Sequence, residues 1–176
     1  MKLQKREHVD GLEGFKNPED GWHNILIQEG IERYAYEKNS GASCRMVWQT
    51  IDEEEEIAFS TFETMLLPSG DPFKNWEKKI EGILTVTGLL DDFNAKLPND
   101  CMVSDQKFVD ALAMKLPGKK LSVRTELTSY MTKADPPVKK IQCNIMEIAA
   151  YGEGSVDNGD GSKPVVKDSA ATDEAW

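Results

Sequence analysis

Residues 71–87 read DPFKNWEKKIEGILTVT, and their period decides how the rest of the chain is arranged. Asp71 is a good N-cap, Pro72 suits the first helical position, and Phe73, Trp76, Ile80, Ile83, Leu84 and Thr87 recur at helical spacing to make one apolar stripe. Trp76 has the spacing of a core residue on that stripe. Long stretches on either side alternate instead, so this helix interrupts a chain of strands.

Upstream, residues 22–38 (WHNILIQEGIERYAYEK) are rich in β-branched and aromatic residues and read as one long strand, bent or bulged at Gly30. Residues 39–42 (NSGA) supply turn chemistry, and 43–51 (SCRMVWQTI) form a second strand pairing back on the first. The acid run Asp52–Glu56 connects to a third strand, 57–66 (IAFSTFETML). Downstream of the helix, a shorter one is predicted from Ser104 or Asp105. It carries Phe108, Val109, Leu112 and Leu116 inward and stops at Pro117 and Gly118. Strand character returns in 119–131 (KKLSVRTELTSYM) and, after the loop 132–138 (TKADPPV), in 139–151 (KKIQCNIMEIAAY).

The chain has 176 residues, of which 39% are hydrophobic, enough for one domain with a single core. No apolar run approaches the roughly 20 residues that span a bilayer, and the start lacks the apolar centre of a signal peptide. A cytoplasmic protein without membrane contact is expected, in the host cytoplasm if viral. Cys44, Cys101 and Cys143 are far apart and read as small apolar residues rather than a disulfide framework or zinc site. His8 and His23 are isolated imidazoles; neither metal, cofactor nor catalytic chemistry is expected, and no nucleophile or phosphate-loop motif is present. The adjacent Asp91 and Asp92 read as solvent-facing acids at a helix end.

The net charge of −10 is unevenly spread. Asp52–Glu56 hold −5, and residues 152–176, with six acids and two lysines, hold −4, which leaves about −1 for the body. A local basic face is therefore compatible with the composition. Residues 152–176 are rich in Gly, Ser, Asp and Ala and lack a packing period, so a flexible acidic tail is expected beyond a domain of residues 22–151, with an irregular leader over 1–21 in which Phe15 is a candidate for packing.

Three strands, a helical insertion and two strands is the order of a five-stranded Greek-key barrel, the OB-fold, which carries its helix between strands three and four. A small SH3-like barrel lacks the insertion, and a ferredoxin-like sandwich needs a helix after its first strand, where a hairpin turn stands here. This mainly β order, the Trp-bearing helix, LPGKKLSVRTEL at the start of the fourth strand (116–127) and a Gly/Ser/Asp tail ending DEAW (173–176) resemble phage-encoded single-stranded DNA-binding proteins. The resemblance implies a non-catalytic, sequence-tolerant protein that protects single strands in replication or recombination. It also implies a tail whose Asp173, Glu174 and Trp176 recruit partner proteins.

Such a protein needs cations for phosphates and exposed rings for bases. On an OB-fold the binding face lies over strands two and three, flanked by the loops after strands one and four. Those places hold Arg33, Tyr34, Tyr36 and Lys38 on the first strand and its turn, Arg45 and Trp48 on the second, Phe59 and Phe62 on the third, and Lys133, Lys139 and Lys140 around the last hairpin. On the fourth strand, Leu121, Val123 and Leu127 face inward, which turns Arg124 and Tyr130 outward. Parity leaves Trp48 either in the core or on the face, and it requires one of Phe59 and Phe62 to be buried and the other exposed. DNA and RNA both fit this chemistry, the sequence does not select an oligomeric state, and the rival reading is a protein-interaction or assembly module on the same barrel with no nucleic-acid ligand.

Overall fold

The computed structural model describes residues 16–37, 41–65 and 74–154. Its frame is a six-stranded antiparallel sheet with three helices between the fourth and fifth strands. The long first strand expected from the sequence is two strands, β1 (Gly21–Ile27) and β2 (Glu32–Ala35). Gly30, at φ 95°, lies in the break, and its backbone occupies the positive-φ region that costs glycine little. Ile31 is buried immediately afterwards, so the chain turns without leaving the core.

Both pieces pair with β3 (Ala42–Ile51). Tyr34 lies opposite Ser43 in the first half of β3, and Ile27 lies opposite Trp48 in the second. The other edge of β3 takes β4 (Ala58–Met65). β1 also pairs with β5 (Lys120–Met131), which forms a long hairpin with β6 (Lys139–Ala150). The sheet order is β2-β3-β1-β5-β6 with β4 on β3. A register shift between Arg124 and Thr125 marks a bulge in the hairpin.

The helices are α1 (Lys74–Val86), α2 (Leu90–Lys96) and α3 (Gln106–Lys115). The stripe on α1 is buried at Trp76, Ile80, Ile83 and Leu84, and α3 buries Phe108, Val109 and Leu112 as its spacing predicts. The proposed N-cap Asp71, with Pro72 and Phe73, lies outside the described residues. α2 was not anticipated. Gly88, at φ 74°, ends α1, and Asp91 and Asp92 stand in the first turn of α2, where the helix dipole favours carboxylates. Asp92 also pairs with Lys96 at 2.8 Å.

Packing continues past the expected limits of the domain at both ends. Upstream, Asp20 Oδ1 accepts the Leu127 amide at 2.6 Å, and the Glu19 carbonyl accepts the Thr125 hydroxyl at 2.7 Å. Downstream, the Gly152 amide donates to Ser122 Oγ at 3.0 Å, and Gly154 is buried so tightly that a Cβ there would meet Trp22 Cε3 at 2.4 Å. The rest of the expected tail, from residue 155, and Phe15 lie outside the described residues. Among the described residues, no helix is long and apolar enough to cross a membrane.

Candidate nucleic-acid interface

The alternation of β3 sends Cys44, Met46, Trp48 and Thr50 into the core and turns Arg45, Val47 and Gln49 outward. Trp48, 1% exposed, is thus not a stacking residue. Its ring packs in the layer of Ile27 and Phe59, its partners in register, and its Nε1 donates to Thr61 Oγ1 at 3.1 Å. Phe59 is likewise buried and leaves the candidate face, while Phe62, of opposite parity on β4, is 55% exposed. Trp76 fills the core as expected and donates to the Val103 carbonyl at 3.0 Å.

Phe62 meets Tyr34 across the intervening β3, with ring centroids 5.8 Å apart and planes at 48°. The residue beside them on β3 is Ser43, in register with Tyr34 and with Thr64. It is small and buried, which lets two rings on strands that do not touch each other come together. Arg45 stands one step along, opposite both Phe62 and Glu32. Tyr36, exposed beyond the end of β2, has the parity of Tyr34. The Tyr34 hydroxyl donates to Glu32 Oε2 at 2.5 Å.

The same outer surface continues onto the β5–β6 hairpin. Phe62, Gln142 and Asn144 border one slot between β4 and β6, and Lys140 stands opposite the exposed Tyr130. Lys133 and Lys139 are exposed around the hairpin turn. Rings and cations on Tyr34, Tyr36, Arg45, Phe62, Tyr130 and Lys140 thus belong to the outward side of one sheet, while Lys139, in register with Met131, has the opposite parity on the hairpin.

Two expected cations are engaged elsewhere. Arg33 alternates with Tyr34, turns toward the helices, and donates from Nε to the Ser104 carbonyl at 2.7 Å. Arg124 pairs with Glu147 across the hairpin. It stands six residues from Tyr130, a span of about 20 Å along a strand. Lys38 lies outside the described residues, as do Asp173, Glu174 and Trp176.

The acid run is tied down rather than loose. Asp52, at φ 61°, accepts the Tyr151 hydroxyl; Glu53 meets His23 Nδ1 at 2.5 Å; Glu55 pairs with Lys16 at 3.3 Å; Glu56 accepts from Gln49 at 2.8 Å. His23 therefore does have a carboxylate beside it, brought there by the fold from 30 residues away. Its Nε2 faces the Glu19 carbonyl at 2.6 Å, so the ring anchors the acid loop to the start of β1.

Burial, helped by Glu63, pushes the Cys44 thiol up to about 12, and burial with Asp20 nearby pushes Cys143 up to about 11. Both are neutral packing groups at ordinary pH. Among the described residues, no group of three or more His, Cys, Asp or Glu side chains could hold a metal ion. The slot residues Glu63, Lys79, Gln142 and Asn144 were not picked out from the sequence. The outward polar parity of Gln142 and Asn144 was visible there, but the reach of Lys79 from a helix to a sheet edge was not. No protein-family model matches this sequence, and no curated protein matches it.

Proposed function

We propose that the protein is a non-catalytic, sequence-tolerant binder of single-stranded DNA that protects strands during phage replication or recombination. The observation that carries this reading is the exposed Tyr34–Phe62 pair beside Arg45 on one sheet face. Bases stack on such rings whatever their identity, and a guanidinium next to them suits the phosphate between two bases. Lys140 opposite Tyr130 repeats the combination on the hairpin. The strand relations support an OB-type Greek-key barrel. If β1 and β2 are counted as one bent strand, the neighbours are first with second, second with third, first with fourth and fourth with fifth, with the helices inserted between third and fourth.

The test is fluorescence anisotropy of a labelled oligo-dT at two salt concentrations. A labelled strand reports binding without relying on the protein's indoles, of which Trp48 is enclosed in the core. Affinity should fall steeply with salt as phosphate contacts release counterions. Absence of salt-sensitive binding removes the reading.

The acidic tail completes the proposal. Asp173, Glu174 and Trp176 offer an indole for an apolar pocket and carboxylates for a basic rim, a mode in which short acidic peptides are captured. Deleting the last nine residues should leave DNA affinity unchanged or higher and abolish binding of replication or recombination enzymes. Unchanged partner binding ends this part. One observation favours the rival protein-interaction module: Glu32 places a carboxylate on the same face as the rings. That reading predicts no oligonucleotide binding even at low salt.

A further inference from the structure

Among the described residues no hydrogen-bonded ladder joins β4 to β6; a slot of about 190 Å³ lies between them. It is smaller than the roughly 300–1,000 Å³ of pockets for drug-sized ligands and suits one planar base. Phe62, exposed, stands at its border, and Gln142 and Asn144 line it from β6. Glu63 and Lys79 also line it. Lys79 Nζ donates to Glu63 Oε2 at 2.6 Å, with side chains 24% and 14% exposed.

An ion pair so far withdrawn from water is costly unless its remaining hydrogen-bonding capacity is met. Here it is met only in part. Among the described residues no further hydrogen bond is made by Glu63 Oε1 or by Lys79, so the slot presents a carboxylate oxygen and ammonium protons side by side. The amides beside them are already ordered: Gln142 Nε2 donates to Asn144 Oδ1 at 3.0 Å, and Asn144 Nδ2 donates to Thr128 Oγ1 at 2.9 Å. That relay leaves Gln142 Oε1 as another acceptor.

We propose that this slot takes one guanine base of a bound strand, with the base's pairing edge on Glu63 and Lys79 and Phe62 beside its ring. The inference rests on the single-strand reading above. Guanine alone among the four DNA bases presents two adjacent donors, N1–H and the N2 amino group, next to an acceptor, O6. A carboxylate accepts the two donors and the neighbouring ammonium donates to O6. Cytosine and adenine each offer one amino donor followed by a ring-nitrogen acceptor. Thymine offers one imide donor between two carbonyls, one of which would face Glu63 Oε1. Each of these leaves a charged group short of a partner, and unmet buried groups discriminate more strongly than extra contacts do. The protein would then track strands tolerantly along its rings and favour one base at one step.

The test uses the full chain and labelled dT oligomers carrying a single central dG, dA, dC or deoxyinosine, followed by anisotropy. The dG oligomer should bind at least about fivefold tighter than the others, the lower end expected for a two-bond base contact. Deoxyinosine, which lacks the N2 amino group, should lose most of that gain. Glu63→Gln should flatten the ranking, with thermal unfolding as the check on its fold. Should that variant not fold, the deoxyinosine comparison on the unaltered protein decides. Equal binding of dG and deoxyinosine, or of dG and dA, overturns the slot assignment while leaving the single-strand reading intact. Failure of every oligomer to bind takes down both.

Discussion

Tyr34 and Phe62 lie on strands that do not touch, yet their ring centroids are 5.8 Å apart because the β3 residue beside them is only Ser43. A pair held this way is a preformed stacking step, with little ordering left to do when a base arrives. Replacing either ring by alanine should weaken oligo-dT binding on the order of 5- to 100-fold, the range for loss of one stacked base. Anisotropy titrations of Tyr34→Ala and Phe62→Ala measure it. Wild-type affinity in both would remove this face from the site.

The cations separate into two groups with different expected behaviour. Lys139 and Lys140 are exposed on the hairpin, whereas Arg124 is paired with Glu147. For single strands each phosphate contact contributes about 0.7 to the slope of log affinity against log salt. Lys140→Ala, which removes the lysine on the ring face, should therefore flatten that slope by about 0.7. Arg124→Ala should leave it unchanged. A reversed pattern would place the strand at the other end of the sheet.

Trp48 is a structural residue despite its place on a binding-face strand. Trp48→Phe removes the bond to Thr61 and opens a small void, for a loss on the order of 1–3 kcal/mol. In a chain of this length that is a fall in melting temperature of roughly 3–10 °C. Oligonucleotide affinity at 20 °C should stay within about twofold. Strong loss of binding in a well-folded variant would contradict the burial of this ring.

The thiols make stability fall in alkali. Cys44 and Cys143 are raised from 9.0 to about 12 and about 11, so the unfolded chain begins to release their protons near pH 9 while the folded chain holds them. The unfolded state then binds fewer protons, and the unfolding free energy decreases as pH rises from about 9 toward 12. Urea midpoints should be level from pH 7 to 8.5 and decline above 9. The diagnostic quantity is the difference from Cys44→Ala/Cys143→Ala, whose decline should be shallower. Identical declines would refute the thiol contribution.

Much of this frame was legible in the sequence, and the failures have physical causes. Trp76, Ile80, Ile83 and Leu84 declared α1 because a 3.6-residue stripe is a local property. Trp48 stayed ambiguous because both faces of β3 carry a mixture of polar and apolar side chains. Only its neighbours in register, Ile27 and Phe59, decide the matter, and register is a long-range property. Phe59 and Phe62 had to point opposite ways, but which one lay inside depended on the same pairing. The split of the first strand at Gly30 was visible as a bend and not as two strands. Seven-residue α2 offered too short a stripe to read, although Asp91 and Asp92 were a start signal. Of the candidate site, the residue types were readable and their meeting was not: nothing local ties Tyr34 to Phe62, His23 to Glu53 or Lys79 to Glu63.

β3 is paired on both edges, with β2 over Ala42–Arg45 and β1 over Trp48–Ile51 on one and with β4 over Ala42–Gln49 on the other. Its amides bond alternately to the two sides, so freeing all of them requires both neighbours to part. Their protons should be the last to be replaced by deuterium, at rates set by global opening, while those near the 132–138 turn exchange early. The strand beneath the rings would thus stay shut on timescales over which the 132–138 turn exchanges its amides, a firm bed under the exposed pair.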